Sequence, residues 1–237
     1  MNKIYMIGDS IMQYNNIFSY PQVGWGQALH LFTKNDYIIE VHAKNGRSTK
    51  SFIDEGRFDV VLSRIGKGDF LICQFGHNDE KDDPLRHTDK DTTYLENLQY
   101  FYDEATKKGA HVVFATSVTR RSFENGVCID SHKGYPQAML KWANEHNYTC
   151  IDLNTITRDL YNKLGEEETV KFHMIFGPNI YRNYPEGKKD NSHLVMKGAL
   201  MVCENFVREI EKTNDPIKDC FLELDKKEEI DQKMLID

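Results

Sequence analysis

No stretch of this sequence approaches the ~18 consecutive apolar residues that a membrane-spanning helix needs. Cysteine is sparse and scattered. Cys73, Cys128, Cys150, Cys203 and Cys220 include no C-x-x-C pair, and an odd set of this kind fits neither a disulfide framework nor a zinc site. Reduced, mostly buried thiols are expected instead. Positive charge is in deficit as well: a formal net charge of -7 and a pI near 5.7 argue against nucleic acid or an anionic membrane as partner. Internal repeats and low-complexity segments are missing. No secretory leader is expected either, because the apolar run Ile4–Ile7 follows Met1 almost at once and passes directly into Gly8-Asp9-Ser10. A cytoplasmic location is therefore expected.

What is present is an ordinary balance for one globular α/β domain, 40% apolar and 28% charged over 237 residues. Short apolar segments alternate with helical patterns. Strands are expected at 3–7, 37–43, 69–75, 111–116 and 149–153, and helices at 24–34, 57–65, 91–108, 134–147, 154–164 and 194–212. Leu95, Leu98, Tyr102 and Ala105 recur at helical spacing, and Gly109 supplies the stop. Residues 165–192 read as a long loop region. This order predicts a five-stranded parallel sheet covered on both faces by helices, with its functional site beyond the carboxyl ends of the strands. Residues 1–213 are expected to form that domain. Residues 214–237 are a charged tail interrupted by Pro216, either a helix docked through Phe221, Leu222 and Leu224 or a partly disordered end.

Four polar blocks fall at the expected strand ends or just before the closing helix. Gly8-Asp9-Ser10 follows the first strand, where a serine meets backbone N–H groups and a positive helix end. Asn45-Gly46-Arg47-Ser48 follows the second; its glycine lets the backbone come close to a ligand. Gly76-His77-Asn78-Asp79 follows the third and offers an amide that can donate to an oxyanion. Asp190-Asn191-Ser192-His193 precedes the last helix, at a spacing that lets the carboxylate orient the imidazole across one turn. Taken singly, each block also reads as a helix cap, a turn or a surface loop. Together they make one coherent acyl-transfer site. The order Ser…Asp…His also occurs in α/β hydrolases, but their G-x-S-x-G elbow is missing here.

These blocks resemble those of the SGNH (GDSL) hydrolases, whose Ser, Gly, Asn and His correspond to Ser10, Gly46, Asn78 and His193. Within that family the runs 21–27, 46–53, 74–79, 118–123 and 135–139 are similar to rhamnogalacturonan acetylesterases of carbohydrate esterase family 12. The similarity runs from about residue 3 to 210, and Ser192 stands where the family often has Thr. The resemblance implies a three-layer α/β/α flavodoxin-like fold. It also implies a serine esterase that deacetylates plant cell-wall carbohydrate, most directly pectic oligosaccharides, with no metal or organic cofactor.

Ser10, Asp190 and His193 are then the expected catalytic residues, and Ser10, Gly46 and Asn78 the expected oxyanion hole. Asp9, Trp25, Arg47, His77, Arg86, Arg120 and Arg121 are candidate substrate contacts, the arginines because a guanidinium pairs a galacturonate carboxylate in bidentate fashion. Tyr20, Trp25, Tyr135 and Tyr181 suggest surfaces for sugar rings. An esterase or thioesterase acting on acetyl-xylan or lipid is the rival within enzymes; a non-catalytic carbohydrate-binding protein is the rival outside them. A monomer or small homo-oligomer is expected.

Overall fold

Alternation along the first strand sets the architecture. In β1 (Lys3–Gly8), Ile4 and Met6 enter one apolar cluster while Tyr5 and Ile7 enter another, and all are fully buried. The computed structural model, which describes residues 2–224, repeats this in β3 (Phe70–Gln74) and β4 (His111–Ala115). Phe70, Ile72, Val113 and Ala115 join the first cluster; Leu71, Cys73, Val112 and Phe114 join the second. A sheet apolar on both faces needs helices on both.

With β2 (Ile38–Val41) and β7 (Cys150–Ile151), these strands form a five-stranded sheet in the order β2-β1-β3-β4-β7, and every pairing is parallel. That is the flavodoxin-like order, as expected from the sequence. The first cluster lies under α1 (Trp25–Ala28), α6 (Leu153–Leu164) and α8 (Met196–Glu211). The second lies under α2 (Thr49–Asp54), α3 (Arg57–Leu62), α4 (Thr93–Lys107) and α5 (Tyr135–Glu145). A two-residue hairpin, β5 (Phe123–Glu124) with β6 (Val127–Cys128), decorates the loop after β4.

Two sequence expectations need correction. The helix read over 24–34 is only α1, followed by a tighter turn over Leu29–Phe32. Its start is pinned where Gly24 and Gly26 press on the chain at Met12 and Gln13; a Cβ there would come within 2.2 and 2.4 Å of backbone oxygens. Its end is pinned where Thr33 Oγ1 takes Leu29 O and Leu222 N–H takes Phe32 O.

The stretch 165–192 is not a loop. It holds α7 (Glu166–Thr169), a short turn, and the antiparallel hairpin of β8 (His173–Phe176) and β9 (Lys188–Leu194). β9 reads Lys-Lys-Asp-Asn-Ser-His-Leu and owes its strand conformation to its partner rather than to its own propensity. Past α8, Asp215 caps a turn over Pro216–Cys220, and Ile217, Cys220, Phe221 and Leu224 are buried in the first cluster. The rest of the expected tail, 225–237, lies outside the described residues.

Candidate active site

The turn after β1 is built tightly. Gly8 is required because a Cβ there would sit 2.6 Å from Gln74 O on the neighbouring strand. Asp9 is fully buried; its Oδ1 accepts from Ile11 N–H at 2.9 Å and its Oδ2 lies 2.9 Å from His77 Nδ1. His77 donates through Nε2 to Val118 O at 3.0 Å, because a carbonyl can only accept. Asp9 and His77, expected as substrate contacts, thus spend their polar atoms inside the protein and brace the turn that presents Ser10.

Ser10 is partly exposed and meets the hairpin. Its Oγ lies 2.9 Å from His193 Nε2, and His193 Nδ1 lies 2.8 Å from Asp190 Oδ2. The pairing register explains how His193 gets there. Met174 pairs with Asp190 but His173 with Leu194, so Asn191, Ser192 and His193 bulge out of the ladder. Bulges beside active sites re-aim side chains in this way. Asp190 Oδ1 stabilises the bulge by accepting from Ser192 N–H at 2.9 Å and His193 N–H at 3.0 Å. The expected Asp–His contact is therefore made across a bulged strand, not across a helical turn. Burial pushes the Asp190 carboxyl up, but the His193 ring and the two backbone N–H groups outweigh it and hold it well below the usual carboxylate range.

The outer side of the bulge is held by Arg121. Its N–H donates to Asn191 O at 2.8 Å, and its guanidinium reaches Asn191 Oδ1, Thr169 Oγ1 and Glu166 O. Arg120 is committed to Glu80, Ser131 O and His77 O. Both arginines, expected as substrate contacts, are held by protein partners and brace the loop after β4 and the bulge. Trp25, expected to meet a sugar ring, is instead fully buried, donates to Gln74 Oε1 at 3.0 Å and packs on Phe206. Tyr135 is also buried, donating to backbone carbonyls of Asp79 and Thr88.

Gly46 and Asn78 come together after β2 and β3. Lys44 N–H ties their loop to Gly8 O at 2.9 Å, and Asn78 Nδ2 donates to Arg47 O at 3.1 Å. Gly46 is in the left-handed region at φ 75°, with nothing near where a Cβ would be. Neither Ser10 N–H nor Gly46 N–H has a hydrogen-bond partner among the described residues. A cavity of about 290 Å³ opens here, lined by Gly46, Arg47, Ser51, Glu55, Leu85 and Arg86. Arg47 and Arg86 stand in its wall, paired with Glu55 and Asp83.

Beneath the site, Asp79 is fully buried. Its Oδ1 accepts from Thr49 N–H, Thr49 Oγ1 and Thr88 Oγ1, while Oδ2 has no partner. Burial pushes its carboxyl up to about 7. Sequence reasoning missed the hairpin and the Asn191–Arg121 brace. The available signal was two short runs bounded by Gly177-Pro178-Asn179 and Pro185-Glu186-Gly187.

Compared with known proteins, the chain matches the GDSL-like lipase/acylhydrolase family over residues 6–174. It is 38% identical over 229 residues to a rhamnogalacturonan acetylesterase of Bacillus subtilis (strain 168), covering 96% of this chain and 97% of the relative. A probable rhamnogalacturonan acetylesterase of the same organism is 34% identical over 223 residues, covering 93% and 98%. Among solved structures, the Bacillus subtilis protein YxiM superposes with a TM-score of 0.76 at 25% identity, over 89% of this chain and 56% of that one. An acetylxylan esterase from Geobacillus stearothermophilus shares the fold at a TM-score of 0.63 and 16% identity, over 90% and 95% of the two chains.

Proposed function

Because the chain belongs to the GDSL-like lipase/acylhydrolase family, we propose that it is a carbohydrate O-acetylesterase that removes acetyl groups from rhamnogalacturonan oligosaccharides. The observation that carries this is the hydrogen-bonded chain from Ser10 Oγ through His193 to Asp190, with the Ser10 and Gly46 N–H groups left without a partner among the described residues. Ser10 Oγ attacks the acetyl carbonyl as His193 Nε2 takes its proton, and Asp190 stabilises the resulting imidazolium. The tetrahedral oxyanion is received by the N–H groups of Ser10 and Gly46 and by the Asn78 amide. His193 then returns the proton to the departing sugar oxygen. Water, activated by the same imidazole, frees acetate from the serine.

The substrate class is supported by two relatives that span nearly the whole chain and act on, or are named for, rhamnogalacturonan. Arg47 and Arg86 beside Gly46 stand in ion pairs with Glu55 and Asp83, so this wall is polar and charge-balanced, suited to sugar hydroxyls. A cytoplasmic place of action belongs to the same reading, because all five cysteines are unpaired, as a reducing compartment keeps them.

The test is acetate release by wild type and Ser10→Ala from acetylated rhamnogalacturonan oligosaccharides, acetylated xylan and p-nitrophenyl acetate. Release should be fastest from the pectic oligomers and fall by about 10⁶ without the serine hydroxyl. Near-native turnover by Ser10→Ala would remove the mechanism. Faster release from xylan would move the substrate to the acetyl-xylan reading.

A further inference from the structure

The loop between β8 and β9 walls a second, larger pocket of about 590 Å³, lined by Ile17, Phe18, Tyr20, Ile180, Tyr181 and Arg182. Two chain segments build it, and each also carries a reacting group. The first is the loop that leaves Ser10 and returns to the hairpin, where Gln22 bridges Val195 and Val23 N–H donates to Leu194 O at 2.9 Å. The second is the tip of the β8–β9 hairpin, whose base holds Asp190 and His193. Asn183 Nδ2 locks tip to loop, donating to Ile17 O at 2.8 Å and Tyr20 O at 2.9 Å, and Tyr20 packs edge-on against Tyr181 at 5.6 Å. Tyr20 is separated from Val23 by no more than about 11 Å of extended chain. Both walls of the pocket are therefore tied to the segments that carry Ser10 and His193.

Its lining is unusual for a surface left to water. Phe18 is 83% exposed, Ile17 77% and Ile180 62%. Arg182 is exposed, and its guanidinium has no hydrogen bond, ion pair or ring contact among the described residues. Every other arginine is engaged: Arg47, Arg57, Arg64, Arg86, Arg120, Arg121 and Arg208 with carboxylates, Arg158 with Asn154 and Thr155. In a chain of net charge -7, a cation standing alone amid exposed aromatic rings calls for an anionic partner with an apolar face. A pyranose ring supplies C–H faces that pack on Tyr and Phe, and a uronic acid adds one carboxylate in reach of a bidentate guanidinium. The volume falls in the ~300–1,000 Å³ range of small-ligand clefts.

We propose that this pocket is a distal subsite for a uronic acid residue of the same oligosaccharide whose acetylated sugar sits at Ser10, with Arg182 as the residue that reads the carboxylate. The subsite rests on the reading of Ser10 as the nucleophile of a pectin-directed esterase. Its test therefore measures binding rather than turnover.

Ser10→Ala protein would be titrated calorimetrically with a deacetylated rhamnogalacturonan oligosaccharide and with the same oligosaccharide after chemical reduction of its carboxyl groups. The native oligomer should bind at least tenfold tighter than the reduced one, and adding Arg182→Gln should abolish that difference, a loss of roughly 10- to 100-fold for a hydrogen-bonded charge. Arg182→Lys should recover only part of it, since an ammonium cannot bind in bidentate fashion. Phe18→Ala, at a side chain already in water, should weaken both oligomers alike. Equal affinity for native and reduced oligomers, or an unchanged difference in Arg182→Gln, overturns the subsite. So does a concentration-dependent dimer in sedimentation that Phe18→Ala dissolves, since the pocket would then be covered by a second copy. Tight uronate binding in a protein whose wild type releases no acetate would leave the subsite standing and remove the esterase reading instead.

Discussion

Consider the replacement of Asp190 by Asn, which changes one atom of the site and little of its shape. Asp190 Oδ1 accepts from the backbone N–H groups of Ser192 and His193, and an amide oxygen can keep both. The amide nitrogen then takes the place of Oδ2, 2.8 Å from His193 Nδ1. As an amide nitrogen can only donate, it selects the ring form with Nδ1 bare and the proton on Nε2. That proton points at Ser10 Oγ, 2.9 Å away, where a base is needed. The variant also loses the carboxylate that stabilises the imidazolium. In a serine protease triad the corresponding Asp→Asn exchange costs about 10⁴ in kcat. At ~1.36 kcal/mol per decade that is about 5 kcal/mol of barrier. The same loss is expected here. KM should change little, because the substrate-facing walls are untouched, and the thermal midpoint should stay near that of wild type because the bulge keeps its caps. Single-turnover acetate release at saturating oligomer, together with a melting curve, measures both. Retention of kcat within tenfold of wild type would refute the assigned role of Asp190 in setting the imidazole proton.

Three further outcomes follow from the geometry. Asn78→Ala should lower kcat by about 10²–10³ with the fold intact, measured by steady-state kinetics on the same oligomers. Trp25→Phe leaves Gln74 Oε1 without its donor in the core, so it should destabilise by about 1–3 kcal/mol in urea titration and leave KM unchanged. A rise in KM without lost stability would return Trp25 to the substrate. Asp79 binds a proton in the folded state up to about pH 7, whereas in the unfolded chain it releases it near 4. Its stability contribution is therefore present at low pH and lost as pH rises through 7. Asp79→Asn should gain on wild type by up to about 1.4 kcal/mol per pH unit between pH 4 and 7, then level off; a pH-independent difference would contradict the shift.

The sheet was legible because burial on both faces writes itself as unbroken apolar runs, as in Ile4–Ile7 and Leu71–Cys73. The residues brought to the strand ends were legible because serine, glycine and asparagine sit immediately after those runs. The hairpin was not, because β9 carries two lysines, an aspartate and an asparagine, and gains its conformation only from pairing with β8. The partners of the expected substrate contacts were not legible for a related reason. Trp25, Arg120 and Arg121 have the chemistry of sugar recognition, but whether a side chain faces solvent depends on partners such as Gln74, Glu80 and Asn191 that are distant in sequence. Arg182 escaped notice because an unpaired charge can be recognised only after every other charge has been given its partner.

Ser10 and His193 stand 183 positions apart, yet their contact is a single hydrogen bond across the edge of the site. A ribosome delivers Ser10 early and His193 late, so on the proposed mechanism a growing chain lacks hydrolytic power until the hairpin has emerged and docked. The same separation makes acetate release a reporter of long-range assembly: in a refolding experiment, turnover should not return before the hairpin has docked on the turn that carries Ser10.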